Sequence, residues 1–325
     1  MYIYKKNEEK QMKKRILVIS SANMDFVQRV NRIPDGGETV IETLSYSYIP
    51  GGKGANSALS FARIGADTVF CSRMGKDDNA RRLKKLYNDE GIDTRFISED
   101  KEAPTGLASI IVEEESGQNR IIVYPGSNNN LNENDIEEAF NCYPDGVFVQ
   151  LEIPDKAVFA AARFAKERNI PLFVDAGPAR EGFELEKLLE VEILSPNETE
   201  CKILTGITPD SVENCLKASI RLASTVSCKY VVLKLGHRGC FVYDGKYYNI
   251  VPSHKVSAVD TTAAGDVFTA ALSYAYLQKG DILEAARFAN IAGAICVSRE
   301  GASTSIPTLA EIKEFASNLK NKKRI

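Results

Sequence analysis

The chain has 325 residues, of which 44% are hydrophobic and 26% are charged, and its formal net charge is −3. These values are ordinary for a folded globular protein and allow one large α/β domain or two smaller ones. A nucleic-acid-binding surface would show an excess of basic residues, so the charge argues against a nucleic-acid partner. No apolar run is long enough to span a bilayer, which argues against a membrane partner.

The N-terminus and the cysteines indicate the cellular compartment of the protein. The first ten residues are charged and lack the apolar core of a signal peptide. We interpret residues 1–14 as a flexible extension, with Met12 as an alternative start to Met1. The seven cysteines are scattered without a Cys-x-x-Cys pair, and only His237 and His254 could add imidazole ligands. This pattern predicts reduced thiols in a cytoplasmic protein and argues against a zinc site.

Strand and helix patterns alternate along most of the remaining chain. Helical spacing covers residues 157–166 and 215–223. Continuous apolar strands separated by helices indicate an α/β fold with a doubly wound, mostly parallel sheet, helices on both faces and ligands at the carboxyl ends of the strands. The predicted strands are residues 16–19, 68–70, 147–149, 172–174 and 230–233.

Two regions depart from this alternation and predict hairpins. Residues 26–49 contain two stretches with a period of two, at 39–42 and 46–49, and a Pro-Asp-Gly-Gly turn at 34–37. Residues 107–124 contain a second pair of stretches, which a turn at 114–117 joins. The hairpins, at about 26–50 and 105–124, predict a small β-sheet lid on a body formed by residues 15–325.

A glycine-rich stretch follows the first hairpin. Gly51, Gly52 and Gly54 surround Lys53 and lead into a run with helical spacing. Glycines in this number mark a backbone that turns sharply and closely approaches a ligand. The stretch is not a Walker A loop, because Gly54 stands where Ser or Thr would follow the lysine. The chain also lacks the His-Arg-Asp and Asp-Phe-Gly motifs of protein kinases.

A second stretch, Asp-Thr-Thr-Ala-Ala-Gly-Asp at residues 260–266, runs directly into an apolar helical segment. Small residues let a phosphate approach the backbone, and a helix start offers unpaired N–H groups beside the carboxylate of Asp266. An anion site with an adjacent base suits the transfer of a phosphoryl group to an alcohol. The alternative is that these residues only cap and pack the helix.

Together the two stretches resemble the two signatures of the ribokinase (PfkB) family of carbohydrate kinases. The resemblance runs from about Arg15 to Pro307, and the signature matches are residues 51–58, Gly65, Gly75 and 260–273. Supporting segments are residues 23–25, 150–152, 196–200 and 299–302. The resemblance implies a ribokinase-like α/β fold, a β lid that pairs into a homodimer, and an ATP- and Mg²⁺-dependent sugar kinase activated by K⁺.

The resemblance also implies a role for each matching residue. Asp266 is the general base, and the anion hole comprises Ala263, Ala264 and Gly265. The sugar-binding residues are Asn23, Asp25, Gly52, Lys53, Asn56, Glu152 and Asp266. The nucleotide-binding residues are Asn197, Glu200, Lys234, Gly236, Gly239, Gly265 and Asn290, with Mg²⁺ held through water near the first two. The potassium residues are Asp260, Thr262, Cys296, Arg299, Gly301 and Ser305.

Local patterns add two conformational expectations. Ser195 and Glu198 form a capping-box pattern with Pro196 as the first helical residue. Ala263, where many relatives carry Gly, is acceptable if its φ is negative.

The predicted reaction is phosphorylation of D-ribose at O5. Two departures from the family pattern, Asp175 and Ala80, leave other acceptors open, namely deoxyribose, a ketohexose or a nucleoside such as adenosine. A nucleoside kinase would need an apolar or aromatic pocket for the base. A binding protein that has kept the fold and lost catalysis is the alternative from another functional class, against which the intact Asp266 and anion loop argue.

Overall fold

The computed structural model of the protein describes residues 13–41, 44–116 and 118–322. Most of the predicted extension at residues 1–14 lies outside them. The strands are β1 (Arg15–Ile19), β2 (Asn23–Val30), β3 (Ser45–Gly51), β4 (Asp67–Gly75), β5 (Ile97–Asp100), β6 (Gly106–Glu113), β7 (Asn119–Tyr124), β8 (Gly146–Gln150), β9 (Leu172–Asp175), β10 (Glu190–Ser195), β11 (Ser227–Lys234), β12 (Cys240–Tyr243) and β13 (Tyr248–Val251). The helices are α1 (Lys53–Arg63), α2 (Asp78–Asp89), α3 (Glu133–Ala139), α4 (Asp155–Glu167), α5 (Glu198–Thr205), α6 (Val212–Thr225), α7 (Ala264–Lys279), α8 (Ile282–Val297) and α9 (Leu309–Lys322).

Nine strands form one sheet in the order β13-β12-β11-β10-β9-β8-β1-β4-β5. The strands from β11 to β5 in this order pair in parallel, and β12 and β13 add an antiparallel edge. The five predicted strands all lie in this sheet, and the two predicted helices lie in α4 and α6. The prediction of a mostly parallel sheet is therefore confirmed.

Helices cover both faces of the large sheet because successive strand residues point to opposite sides. In β1, Ile16 and Val18 belong to one buried cluster, which α1, α2, α7 and α8 complete. Leu17 and Ile19 belong to the other, which α3, α4 and α6 complete. Burial on both faces explains why these strands are continuously apolar, and it confirms the doubly wound arrangement. Among the described residues, no helix is both long enough and apolar enough to cross a membrane.

The predicted lid is a four-stranded sheet in the order β3-β2-β6-β7. Each hairpin pairs antiparallel, and β2 and β6 join the hairpins in parallel. The strand predicted at 39–42 is wrong for residues 39–41, and Glu42 lies outside the described residues. Ile41 is 92% exposed, so the apolar residues of this alternating stretch do not pack against a sheet. The partner of β3 is instead the earlier segment β2.

One face of the lid is turned towards the large-sheet body. Asp25 and Arg29 in β2 line a cleft of about 620 Å³, whose opposite wall includes Asp260 and Gly301. The alternation of side chains along β2 places Phe26 on the outward face. The lid therefore carries polar residues over the cleft and an aromatic residue on its outer side.

Candidate active site

Polar and charged side chains gather at the carboxyl ends of the parallel strands, and the predicted residue Lys234 is one of them. β8 ends at Gln150, β9 at Asp175 and β11 at Lys234, so these side chains reach one edge of the large sheet. The helices α1 and α7 pack together and begin at the same edge. This edge combines charged side chains with the N-termini of two helices, which suits an anionic ligand.

Asp266 lies in the first turn of α7 and is buried. Asn56 Nδ2 donates to Asp266 Oδ2 at 2.9 Å, and Gln150 Nε2 donates to Oδ1 at 3.1 Å. Burial raises the pKa of Asp266 to about 6, against the opposing effect of the Lys53 ammonium. At neutral pH the carboxylate is therefore ionised but close to its pKa, which is the state that a general base requires.

The small residues before Asp266 form a tight turn into α7. Ala263 is the N-cap, with φ 61° and ψ −3°, so the expectation of a negative φ is wrong. The carbonyl of Ala263 must point along the helix, because it accepts a hydrogen bond from Val267 N–H at 2.9 Å. The left-handed conformation costs a non-glycine residue roughly 1–2 kcal/mol, and such strain is common at ligand sites. The N–H groups of Gly265 and Asp266 follow in the first turn, where the helix supplies no acceptor.

The lid contributes two polar side chains from the start of β2. Asn128 Nδ2 donates to Asn23 Oδ1 at 2.8 Å, which leaves the amide N–H groups of Asn23 for another acceptor. Asp25 lies against Gly51, where a Cβ would come within 2.0 Å of the Asp25 carboxylate. Burial, and then the negative charge of Glu152, raise the pKa of Asp25 to about 7. Both side chains are thus positioned by neighbours within the fold.

The glycine-rich stretch turns into α1 at Gly52, which has φ 88°. Glu152 Oε2 accepts hydrogen bonds from the backbone N–H of Lys53, at 3.0 Å, and from the hydroxyl of Ser21. Asn56 Oδ1 is buried and accepts no hydrogen bond within the described part of the chain. It is therefore an oxygen that can accept a hydrogen bond from a ligand.

A cavity of about 720 Å³ opens beside the N-terminus of α7. Asn290 lines this cavity. Its Nδ2 donates to the carbonyls of Val251 and Pro252, at 3.0 and 3.2 Å, and so connects β13 to α8. The ring of Phe268 adds an apolar wall. Such a cavity suits the base of a purine nucleotide whose phosphates point towards α7. The cavity is lined by five of the seven predicted nucleotide-binding residues, namely Lys234, Gly236, Gly239, Gly265 and Asn290.

The other two, Asn197 and Glu200, form a capping box at the start of α5. Asn197 Oδ1 accepts from Glu200 N–H at 2.8 Å, and Glu200 Oε2 accepts from Asn197 N–H at 2.7 Å. The predicted capping box of Ser195 and Glu198 is therefore wrong. The carbonyl of Pro196 accepts a hydrogen bond at 2.9 Å from the last N–H of β11, so the chain stays extended and the helix begins later.

The model of the pfkB family of carbohydrate kinases matches residues 13–309. The chain belongs to this family.

Relatives within the family match almost end to end. The chain is 36% identical to the ribokinase of Haemophilus influenzae over 306 residues, which cover 94% of this chain and 99% of the relative. It is 33% identical to a ribokinase of Staphylococcus aureus, with 93% and 100% covered. The solved structure of Arabidopsis thaliana ribokinase complexed with ribose and ATP superposes with a TM-score of 0.86 at 30% identity, covering 94% of this chain and 99% of that one.

Five of the predicted potassium residues lie close together before and beside α7. Asp260 Oδ1 accepts from Thr262 N–H at 2.9 Å, and Oδ2 accepts from Gly301 N–H at 3.0 Å. Cys296 Sγ lies 3.1 Å from Ser305 Oγ and donates to the Thr262 carbonyl at 3.7 Å. These contacts tie the loop before α7 to the loop after α8.

The sixth residue, Arg299, directs its guanidinium away to Glu311, at 2.5 Å. Only its backbone remains to serve a cation. In the part of the chain that the structure describes, no group of three His, Cys, Asp or Glu side chains could hold a metal ion. A cation beside Asp260 would therefore rely largely on carbonyl and hydroxyl oxygens.

Two side chains outside the predicted site hold residues of that site in position. Asn128 and Gln150 orient Asn23 and Asp266, and neither was assigned such a role. Asn128 lies in no segment that carries the family resemblance. Gln150 belongs to the supporting segment 150–152, but that pattern does not show its contact with Asp266, 116 residues away. Asp175 did carry a signal, because it departs from the family pattern, and the structure shows it paired with the ammonium at the end of β11.

Proposed function

We propose that the protein transfers the γ-phosphoryl group of ATP to O5 of D-ribose, giving D-ribose 5-phosphate and ADP. The observation that carries this proposal is the position of Asp266. Its buried carboxylate lies at the N-terminus of α7, between the polar residues under the lid and the nucleotide cavity. The end-to-end similarity to ribokinases supports the choice of acceptor and donor.

The chemistry follows from the contacts of Asp266. Asn56 and Gln150 fix both carboxylate oxygens, so the base is oriented before the sugar arrives. Asp266 takes the proton of the O5 hydroxyl while the oxygen attacks the γ-phosphorus. The N–H groups of Gly265 and Asp266, together with the half-buried ammonium of Lys53, stabilise the charge on the phosphoryl group, whereas the N–H of Ala264 already donates to the carbonyl of Thr261.

Sugar selection depends on fixed donors and acceptors beneath the lid. The amide group of Asn23 donates, Asn56 Oδ1 accepts, and the carboxylate of Asp25 can accept from two neighbouring hydroxyls. Loss of the 2-hydroxyl would leave Asp25 without one donor in a buried place, which is costly. We therefore expect 2-deoxyribose to have a much lower kcat/KM than ribose.

Magnesium and potassium complete the proposed reaction. The capping box occupies Asn197 Oδ1 and Glu200 Oε2, so Glu200 Oε1 is the oxygen that remains to hold hydrated magnesium. Magnesium bound to ATP supplies charge neutralisation at the phosphates. The oxygens around Asp260 and Ser305 suit potassium, which would stabilise the loop that leads into α7.

The outward face of the lid supports a homodimer. Phe26 pairs with Tyr48 across the sheet, and through β6 the same row reaches Ile122. Ile122 is 73% exposed and Tyr46 is 72% exposed. In this row Ser109 stands between Phe26 and Ile122. An exposed and mostly apolar face of this kind, on the side away from the cleft, is typical of an interface. A second copy of the chain, which carries the same face, would bury it in a two-fold arrangement.

The cysteines support the cytoplasm as the proposed compartment. All seven are free thiols. Disulfides persist in oxidising compartments, whereas thiols are kept reduced in the cytoplasm.

A coupled ADP-release assay with ATP and magnesium tests the proposal. Ribose, 2-deoxyribose, fructose and adenosine are compared as acceptors, each with potassium and with an inert organic cation in its place. We expect turnover on ribose that potassium stimulates. Preference for another acceptor would overturn the substrate and keep the base, and silence on all four would favour a non-catalytic binding protein.

A further inference from the structure

Lys234 places a buried ammonium beside the anion site. Its Nζ donates to Asp175 Oδ1 at 2.6 Å and to Thr269 Oγ1 at 3.2 Å. A Cβ built on Gly265 would come within 3.6 Å of the same nitrogen. The ammonium is therefore within contact distance of the space next to the first turn of α7, where the proposed phosphoryl group lies.

The hydrogen bonds of Lys234 leave one donor unused. An ammonium has three N–H groups, of which Asp175 and Thr269 take two. The carboxylate of Glu200 is 3.9 Å away, which is too far for a hydrogen bond. The third N–H group is available to a ligand in the cavity that Lys234 lines.

The charge state of Lys234 suits this use. Its ion pair with Asp175, at 2.6 Å, favours the protonated ammonium in this buried place. A buried ion pair is weak evidence for stability, because its desolvation cost can match its attraction. The location of this pair beside Gly265 indicates a role in the site.

We propose that Lys234 donates a hydrogen bond to the transferring phosphoryl group and that Asp175 is the residue that positions it. The inference deepens the proposed kinase function and rests on it. The bond from phosphorus to the β-phosphate oxygen breaks, the bond to O5 forms, the O5 proton goes to Asp266, and Lys234 stays protonated throughout.

Asp175 also connects this ammonium to the base. Gln150 Nε2 lies 3.5 Å from Asp175 Oδ2 and donates to Asp266 Oδ1 at 3.1 Å. One carboxylate therefore contacts Lys234 directly and reaches the base through the amide group of Gln150. A neutral Asn at position 175 could still accept from Gln150 and would lose the charge that holds the ammonium.

Equilibrium binding tests the contact without any sugar. In Lys234→Met, we expect magnesium-ATP to bind about 10- to 100-fold more weakly, as for a lost hydrogen bond to a charged group, while ADP affinity stays nearly unchanged. The matched control is Lys229→Met, since Lys229 lies on the same strand and pairs with Glu192 far from the cavity. Unchanged ATP affinity, or equal weakening of ATP and ADP, would overturn the contact with the transferring group. This readout stands even if ribose proves to be the wrong acceptor.

Kinetics of a neutral pair separate this role from a structural one. Asp175→Asn/Lys234→Met removes both charges of the hydrogen-bonded pair, and Glu200 keeps its hydrogen bond from Asn197 N–H, so the double variant stays folded even if Lys234→Met does not. We expect its kcat to fall about 10²–10³-fold, as when one transition-state donor is removed, with the sugar KM nearly unchanged. A double variant with the original kcat would show that the pair only supports the fold. For Asp175→Asn alone we expect a smaller loss of kcat and a weaker preference for ATP over ADP. If neither kcat nor this preference changes, Asp175 does not position Lys234.

Discussion

Asp266 is the residue whose replacement tests the proposed chemistry most directly. Asn keeps the volume of Asp and one oxygen for the hydrogen bond from Asn56, and it avoids burying a charge. We expect Asp266→Asn to lower kcat by about 10²–10⁴-fold, the usual contribution of a positioned base. Thermal unfolding should show a change that is small by comparison. If the variant keeps the turnover of the unchanged protein, another group must accept the proton.

Two carboxylic acids predict how activity depends on pH. Burial raises the pKa of Asp266 to about 6, and burial with Glu152 raises that of Asp25 to about 7. Both act as acceptors only when ionised, so activity is present above these values and is lost as the pH falls through them. We expect kcat/KM to fall below about pH 7 and kcat at saturating ribose to fall below about pH 6. Asp25→Asn should remove the upper ionisation from kcat/KM, and an unaltered profile would contradict this assignment.

Site residues could be predicted from sequence where a motif fixes their backbone, and their partners could not. Asp266 and Asn56 belong to the two signatures, which place them at helix starts. Asn128 lies 105 residues from Asn23, and Lys234 lies 59 residues from Asp175. Such contacts depend on the sheet order, which a single sequence does not specify.

At the scale of elements, α5 shows how local patterns compete. The segment offers two overlapping capping boxes, with Ser195 or Asn197 as the N-cap. The long-range hydrogen bond from β11 to the carbonyl of Pro196 decides between them. Residues 39–41 fail for a related reason, because alternation predicts a strand only where a partner strand exists. The continuously apolar strands were predicted correctly, since a strand that is buried on both faces needs apolar residues at successive positions.

Gly106, at the start of β6, allows a test of how the lid positions Asn23. A Cβ on Gly106 would come within 2.1 Å of Asn23 Oδ1 and 2.3 Å of Asn128 Nδ2. Gly106→Ala should therefore displace Asn23 and raise the KM for ribose, by analogy with overpacking that costs about 1–3 kcal/mol. Steady-state kinetics with ribose and ATP varied in turn would show it, with the KM for ATP little changed.

Gly36→Ala is the matched control for this change. Gly36 also belongs to the lid region, but nothing lies within 4 Å of a Cβ built there. An equal rise in the KM for ribose in both variants would mean that loss of glycine flexibility, and not displacement of Asn23, causes the effect.

The outward face of the lid predicts how two copies of the chain associate. Because β2 carries Asp25 over the cleft and Phe26 on the outer side, a contact between two lids would hold the sugar-binding strand from behind. Ile122→Glu puts a charge into this apolar row, and burying an unpaired charge is strongly unfavourable. We expect the unchanged protein to sediment as a dimer and Ile122→Glu as a monomer with a raised KM for ribose. Ile220→Glu, on α6, changes another exposed isoleucine away from the lid and should remain dimeric. A dimer that survives Ile122→Glu and dissociates with Ile220→Glu would place the interface on the body, and the lid would then close over ribose without a partner.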